Sequence, residues 1–111
     1  MAFLDSRPVF KGHVLVMPWP HTEDLQALAE AEVGPFFSAV RKVAVAVEKA
    51  LGAQGTFVAV NNKVSQSVPH LHAHVVPRTK GDGLRGFFWP RTRYDSDAER
   101  EEYARRIAAA L

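Results

Sequence analysis

Cysteine is absent from this chain of 111 residues, and so are long apolar runs. Without cysteine the protein has no disulfide and no thiolate metal site, so its stability comes from a hydrophobic core or a partner subunit. No apolar stretch approaches the roughly 18 residues that a membrane-spanning helix needs, and the amino terminus lacks the layout of a signal peptide. We therefore expect a cytoplasmic protein that does not enter a membrane.

The composition that remains is typical of one small folded domain. Apolar residues make up 47% of the chain and charged residues 23%, ordinary values that argue against disorder. No repeat, low-complexity tract or linker is visible, so residues 1–111 are predicted to form a single domain. The unusual component is histidine, because three of the five histidines alternate within one short stretch: His70, His72 and His74.

The net charge of +2 is mild, but the positive charge is concentrated in residues 78–93. A basic segment can contact phosphate groups, yet basic loops are common, and we interpret this one as a solvated loop. Nucleic acid is therefore not an expected partner. Five bases there oppose the single acid Asp82: Arg78, Lys80, Arg85, Arg91 and Arg93. The aromatic residues Phe87, Phe88 and Trp89 are predicted to be core or interface residues rather than a base-stacking platform.

Four short apolar segments are predicted to be strands. They cover residues 1–5, 13–18, 55–60 and 70–76, and Pro18 and Pro77 end the second and the fourth. The connection over residues 61–69 is too short for a parallel crossover, so we expect the last two strands to pair antiparallel. An antiparallel sheet combined with helices makes the predicted fold class α+β.

Three helices are predicted beside these strands. Thr22 is expected to cap a short helix over about residues 23–31, and Gly34-Pro35 to break it and open a long helix that ends at Gly52. A third helix begins near Ser96. The long helix carries an apolar stripe that should lie on the sheet: Phe36, Val40, Val43, Val47 and Leu51. The third helix has one apolar face: Tyr103, Ile107 and Leu111.

The histidines of the last strand indicate chemistry rather than packing. Side chains alternate along a strand, so His70, His72 and His74 share one face at spacings of about 6.6 Å. Each imidazole has two polar nitrogens that need partners. The outer two histidines would lie about 13 Å apart, too far for one zinc ion at Zn–N distances near 2 Å. Nucleophilic catalysis by a neutral imidazole is the better alternative, and the central His72 is the natural candidate.

Three stretches of the sequence resemble the histidine triad (HIT) family of nucleotide hydrolases and transferases. His70-Leu-His-Ala-His-Val-Val76 is similar to the family signature His-φ-His-φ-His-φ-φ, in which φ is apolar. Residues 5–13 look like the family's Asp-x-x-Pro-x-x-x-Gly-His segment, and residues 61–70 look like its Asn…Gly-Gln-x-Val-x-His segment. The resemblance is continuous over residues 3–78.

The resemblance implies a HIT-like fold, a mostly antiparallel sheet with a long packed helix and a C-terminal helix. It also implies a homodimer that hydrolyses purine nucleotide conjugates, nucleoside phosphoramidates or dinucleoside polyphosphates, at the α-phosphate through a covalent nucleotidyl-histidine, without a metal or other cofactor. Nucleotidyl transfer is a related possibility. The implied catalytic residues are the nucleophile His72 with His70, His74 and His13. The implied substrate-binding residues are Asp5 for the ribose and Asn61, Gln66 and Ser67 for the phosphate and leaving group.

The sequence departs from the family pattern in two places. Ser65 stands where the family usually has the glycine before the glutamine, and the loop is about two residues shorter. Family members also normally carry a helix and a strand hairpin before the position where this chain begins, so an abbreviated amino-terminal segment is expected. These departures motivate an alternative function, a nucleotide-binding regulatory module with little or no turnover. His21 is expected to be exposed and to have no catalytic part.

Overall fold

The computed structural model describes residues 1–85 and 90–111, so the prediction for Phe87, Phe88 and Trp89 falls outside the described residues. The elements in chain order are β1 (Ala2–Leu4), β2 (Val14–Val16), α1 (Glu30–Leu51), β3 (Gly55–Ala59), β4 (Ala73–Arg78) and α2 (Asp97–Ala109). This arrangement confirms the predicted α+β class. Across these two ranges, no helix combines the length and the apolar character needed to cross a membrane.

The strands form one sheet in the order β1-β2-β4-β3, and each neighbouring pair is antiparallel. The predicted antiparallel pairing of the last two strands is therefore confirmed. In the register, His74 of β4 lies between Leu15 of β2 and Ala59 of β3. His74 thus occupies the middle of the sheet, where both neighbouring strands fix its backbone.

The boundaries predicted for the fourth strand were wrong. It begins at Ala73 rather than His70, so only His74 of the three histidines lies within a strand. The preceding residues follow a different neighbour, because the amide of Leu71 donates to the carbonyl of Thr22 at 2.7 Å. Pro77 does not end the strand. Pairing with β2 stops at Val75, so a proline at position 77 costs no hydrogen bond on that side.

The short helix predicted over residues 23–31 is also absent, and α1 begins earlier than predicted. Residues 24–28 form a turn, in which the Asp24 carboxylate accepts the amide of Ala27 at 2.9 Å. Ala29 is extended, with ψ 142°, and α1 then continues through Pro35. A proline so near the start of a helix removes only one backbone hydrogen bond, and Pro35 is exposed, which makes it tolerable here.

The core lies between α1 and one face of the sheet. Three of the predicted stripe residues, Phe36, Val40 and Val47, are buried, whereas Val43 is partly buried and Leu51 is exposed. We refer to residues 69–76 as the histidine segment. Alternate residues of this segment pack against the stripe: Leu71, Ala73 and Val75. Because side chains alternate along a strand, His74 points to the opposite face, away from α1. The core therefore fixes which face of β4 carries the histidine.

The terminal helix α2 begins as predicted, since the Ser96 hydroxyl accepts the amide of Glu99 at 3.1 Å. Its apolar face is not covered by the rest of the described chain, because Tyr103, Ile107 and Leu111 are all exposed. Gly52 ends α1 in the left-handed conformation, with φ 63°, as the sequence predicts. The caps predicted at Ser96 and Gly52 are thus confirmed, whereas the apolar face of α2 is not packed against the described chain.

Candidate functional site

His13 and His74 form a hydrogen-bonded pair on the face of the sheet opposite α1. Nε2 of His13 lies 3.0 Å from Nδ1 of His74. His13 enters β2 from a tight turn at Gly12, where φ is 98° and a side chain would collide with Leu51. The imidazole of His13 is buried, with only 3% of the residue exposed. The turn therefore brings a buried imidazole against the central strand.

Backbone groups determine where the protons of this pair reside. The amide of Val9 donates to Nδ1 of His13 at 3.2 Å, so Nδ1 is an acceptor and the proton of neutral His13 is on Nε2. That proton is donated to Nδ1 of His74. His74 must then carry its own proton on Nε2. A single backbone amide thus sets the tautomers of two histidines.

His72 has the opposite tautomer. Its Nδ1 lies 2.7 Å from the carbonyl oxygen of His70, and because a carbonyl can only accept, the proton is on Nδ1. Nε2 of His72 is therefore the nitrogen with a free lone pair. The ring is buried, with 6% of the residue exposed, and its centroid lies 5.0 Å from that of His74. A nucleophilic imidazole requires a nitrogen with such a free lone pair.

Burial also keeps the pair neutral. Desolvation lowers the pKa of His13 below its usual value, and the nearby Asp5 carboxylate opposes that shift only in part. Desolvation lowers the pKa of His74 as well, with further lowering from His72 and His13. Both rings are thus uncharged at neutral pH, which preserves the alternating donors and acceptors.

A cavity of about 650 Å³ opens beside His13 and His74. Its size falls within the usual range of small-molecule sites. Polar and apolar side chains line it together, among them Asp5, Asn61, Phe57, Val76 and Leu84. Leu84 is brought there by a turn in which Arg78 donates to the Asp82 carboxylate at 2.6 Å and to the Leu84 carbonyl at 2.6 Å. The Arg78 hydrogen bond lowers the pKa of Asp82 to about 2, so this ion pair persists in acid.

Asp5 is held close to His13. The amide of Asp5 donates to the His13 carbonyl at 2.9 Å, and one carboxylate oxygen accepts the amide of Arg7 at 2.9 Å. The other oxygen lies 3.7 Å from Nδ1 of His13. This half-buried oxygen borders the cavity, where it is available to a hydroxyl of a ligand.

Among the described residues, Asp5, His13 and His74 form a group that could hold a metal ion. One ligand atom from each lies within 4.8 Å of the other two. Ligand atoms of a tetrahedral zinc site are only about 3.3 Å apart, and here the two imidazoles already bond to each other. In the structure the two imidazoles are hydrogen-bonded to each other, and the Asp5 carboxylate lies beside His13.

The loop before the histidines has an unusual backbone. Lys63, Ser65 and Ser67 have positive φ, at 71°, 61° and 25°, although none is glycine. Among the described residues, the amide N–H groups of Ser65, Gln66 and Ser67 have no hydrogen-bond partner. Successive backbone amides in such conformations form anion-binding concavities. The loop thus offers free donors beside a cavity of about 310 Å³, which Gln66 and Ser67 help to line.

The Gln66 side chain is used by the loop itself. Its Nε2 donates to the carbonyl of Glu23 at 2.6 Å, and its Oε1 accepts the amide of Lys63 at 2.9 Å. Asn62 likewise accepts the amide of Leu25 at 2.9 Å, which leaves the exposed Asn61 as the asparagine at the first cavity. The structure therefore brings Asp5, Asn61, His13 and His74 to one cavity and Gln66 and Ser67 to another. In the sequence, His70 and His72 lie between the loop with Gln66 and Ser67 and the strand residue His74.

Two contacts of the site escaped the sequence analysis. The carbonyl of Pro18 accepts from Nε2 of His70, with the atoms 3.3 Å apart, and the amide of Val9 sets the tautomer of His13. Both partners are backbone groups, which any residue type supplies. No signal in the sequence could have identified them.

Comparison with known proteins identifies the family of this chain. The sequence matches the family described as HIT domain over residues 1–81. It is 37% identical over 83 residues to a bis(5'-nucleosyl)-tetraphosphatase (asymmetrical) of Schizosaccharomyces pombe, covering 73% of this chain and 46% of that protein. It is 34% identical over 92 residues to an adenosine 5'-monophosphoramidase of the same organism, covering 81% of this chain and 66% of that protein. The chain spans about half to two thirds of the length of these curated relatives.

A solved structure has the same fold. The crystal structure of a member of the HIT family of proteins from Bacillus subtilis superposes with a TM-score of 0.85 at 36% sequence identity. The match covers 99% of this chain and 80% of that one. Both described helices and the antiparallel sheet therefore belong to an architecture that is already known.

Proposed function

The chain belongs to the HIT domain family, and we propose that it is a nucleotide hydrolase acting at the α-phosphate of purine nucleotide conjugates. The observation that carries the proposal is the tautomer of His72, whose Nδ1–H is held by the His70 carbonyl so that Nε2 is free. Relatives named as a dinucleoside tetraphosphatase and an AMP phosphoramidase support the reaction class. The substrate would be a nucleoside phosphoramidate or a dinucleoside polyphosphate.

In the proposed first step, the lone pair on Nε2 of His72 attacks the α-phosphorus. A P–N bond forms, and the bond from phosphorus to the leaving group breaks with its electron pair, so the leaving group departs and takes up a proton. The ring becomes cationic in this step, and the carbonyl bonded to Nδ1–H stabilises that charge. Water then cleaves the P–N bond, which releases the nucleoside monophosphate and restores the imidazole.

The neighbouring histidines would orient this chemistry. His74 carries its proton on Nε2 and is available to donate to a phosphate oxygen, while His13 holds that tautomer through the 3.0 Å bond. His70 would fix His72 through its carbonyl. Nucleotidyl transfer would share the first step, and in its second step an acceptor other than water would take the nucleotidyl group from His72.

The two cavities would receive different parts of the substrate. The free amides of Ser65 to Ser67 would bind phosphate oxygens, with the Gln66 side chain maintaining the loop. Asp5 would accept from the ribose hydroxyls, and the apolar side of the larger cavity would contact the base. Asn61 would add an amide group in the larger cavity, on the side of Asp5 and His74. No metal is needed for these contacts.

A homodimer is part of the proposal. Among the described residues, β3 stands at one end of the strand order β1-β2-β4-β3. α1 exposes Val33, Phe37 and Val45, which are 37%, 45% and 46% exposed. These exposed apolar side chains of α1 support pairing of two copies. Sedimentation velocity should find a dimer at micromolar concentration, and a monomer would contradict this part.

A substrate panel tests the proposed function. The purified protein should hydrolyse adenosine 5'-phosphoramidate or a diadenosine polyphosphate, and His72→Asn should lower kcat by about 10³-fold or more because the nucleophile is lost. The variant should still bind AMP in calorimetry, which shows that the fold persists. Hydrolysis that survives the substitution would contradict the mechanism. AMP binding without turnover of any substrate would favour the alternative, a regulatory nucleotide-binding module.

A further inference from the structure

His21 is exposed, as the sequence predicts, but its side chain has two partners within the chain. Its Nε2 lies 2.8 Å from the carbonyl oxygen of Pro69, and its ring centroid is 4.4 Å from that of His70, with the planes tilted by 57°. A carbonyl only accepts, so Nε2 of His21 carries a proton and donates it. The side chain therefore contacts the beginning of the histidine segment in two ways.

The whole stretch around His21 lies alongside that segment. The Pro18 carbonyl is 3.3 Å from Nε2 of His70, and the Thr22 carbonyl accepts the amide of Leu71 at 2.7 Å. With the bond from His21, three hydrogen bonds join residues 18–22 to residues 69–71. Two of them use backbone carbonyls of residues 18–22, and His21 supplies the only side chain that residues 18–22 contribute to these three bonds.

These contacts lie one hydrogen bond away from the nucleophile. The carbonyl that accepts from Nδ1 of His72 belongs to His70, the residue that His21 packs against. His70 precedes β4, so the sheet ladder does not hold its peptide group. The His70 carbonyl shares a peptide plane with the Leu71 amide, which donates to the Thr22 carbonyl at 2.7 Å, and the amide of His70 donates to the Val68 carbonyl at 2.8 Å. Contacts to residues 18–22 and to Val68 therefore set the direction of this carbonyl. A rotated carbonyl would release Nδ1–H and allow the other tautomer of His72.

The geometry points to His21 as a positioning residue: by fixing Pro69 and the ring of His70, it aims the His70 carbonyl that keeps Nε2 of His72 deprotonated. This inference rests on the proposed function, because it assigns His21 to the same reaction. His21 touches neither the cavity of His13 and His74 nor the reacting nitrogen. Its effect is therefore on the rate of nucleophilic attack rather than on nucleotide binding.

Three substitutions separate the two contacts of His21. His21→Ala removes both the hydrogen bond and the ring. His21→Gln retains an Nε2 donor for the Pro69 carbonyl but loses the ring, and His21→Phe retains the ring but loses the donor. Thr22→Val is the matched control, since it removes the hydroxyl bond to the Pro20 carbonyl and leaves the backbone bond to Leu71 intact.

The first measurement is the tautomer of His72 by ¹⁵N NMR on the full-length protein, which requires no turnover. We expect the Nδ1–H form in the parent and in Thr22→Val, and an increased fraction of the Nε2–H form in His21→Ala.

The second measurement is kinetic. His21→Ala should lower kcat roughly tenfold with KM changed less than about twofold, and His21→Gln should recover most of that loss.

The outcomes distinguish this inference from the function on which it rests. An unchanged His72 tautomer and an unchanged kcat in His21→Ala would overturn the positioning role. Equal losses in His21→Ala and Thr22→Val would also overturn it, because a general disturbance of the segment would then explain the effect. If the parent protein turns over no nucleotide, the proposed function fails, and the NMR comparison still decides whether His21 sets the tautomer.

Discussion

The pair formed by His13 and His74 and the loop that precedes His70 are built in opposite ways. On one side His13, directly before β2, and His74, within β4, are bonded to each other and kept neutral by burial. On the other side, the loop carrying Ser65 and Ser67 has positive φ angles and amides without partners among the described residues. A satisfied hydrogen-bond network gives fixed proton positions, whereas unsatisfied donors give affinity for an anion. Orientation of the nucleophile and binding of phosphate should therefore respond to different substitutions.

The largest expected effect on the histidine side comes from His13→Gln. Glutamine keeps polar atoms near His74 but cannot reproduce both an acceptor for Val9 and a donor for Nδ1 of His74 in one rigid ring. We expect kcat to fall about 10²-fold with a smaller change in KM, a loss in the range of general acid–base effects. Steady-state kinetics on the best substrate of the panel measures both constants.

The matched control for this substitution is Val16→Ala, which shortens a side chain that is 1% exposed in the neighbouring strand. It should lower the free energy of unfolding without a comparable loss of kcat, because it leaves the tautomers intact. A 10²-fold loss of kcat in the control as well would remove the distinction between the two sides, since instability alone would then explain the result.

Acid should destabilise the folded protein through the same histidines. The pKa values of His13 and His74 are lowered by burial, so between about pH 6.5 and the lowered values the unfolded chain binds protons that the folded chain does not. The free energy of unfolding should be constant above this window and fall as pH decreases through it, by at most about 1.4 kcal/mol per pH unit for each histidine. Urea unfolding from pH 8 to pH 5 measures the slope.

His13→Gln provides the check on that assignment, because it removes one of the two titrating groups and should flatten the slope. A slope that is the same in the variant would mean that other groups titrate. Arg78 and Asp82 are not expected to contribute in this range, since the pKa of Asp82 is lowered to about 2.

The smallest expected effect is on the loop side. Ser65 has φ 61°, a conformation that costs a residue with a side chain about 1–2 kcal/mol and glycine almost nothing. Glycine also loses more backbone freedom on folding, so Ser65→Gly should raise the free energy of unfolding by no more than about 1 kcal/mol. Urea unfolding of Ser65→Gly and Ser65→Ala compares the two. Greater stability of the alanine variant would contradict the positive φ.

The sequence predicted the sheet well because it depends on local alternation and on a short connection. It correctly predicted that Leu71, Ala73 and Val75 face the long helix. It also predicted that the strand begins at His70, whereas β4 begins at Ala73. The real boundary depends on the Thr22 carbonyl, which is distant in sequence and carries no residue signature. The tautomer of His72 depends in the same way on a backbone carbonyl. The sequence therefore pointed to His72 as the candidate nucleophile but did not show which of its ring nitrogens carries the proton.

Direct detection of a nucleotidyl group on His72 is the measurement that tests the account most sharply. The protein would be mixed with a substrate in excess, quenched within one turnover, digested and analysed by mass spectrometry. The account predicts one added nucleoside monophosphoryl group on the peptide that contains residues 70–74, localised to His72 and absent from His72→Asn. Turnover without any adduct, or an adduct on another residue, would contradict it.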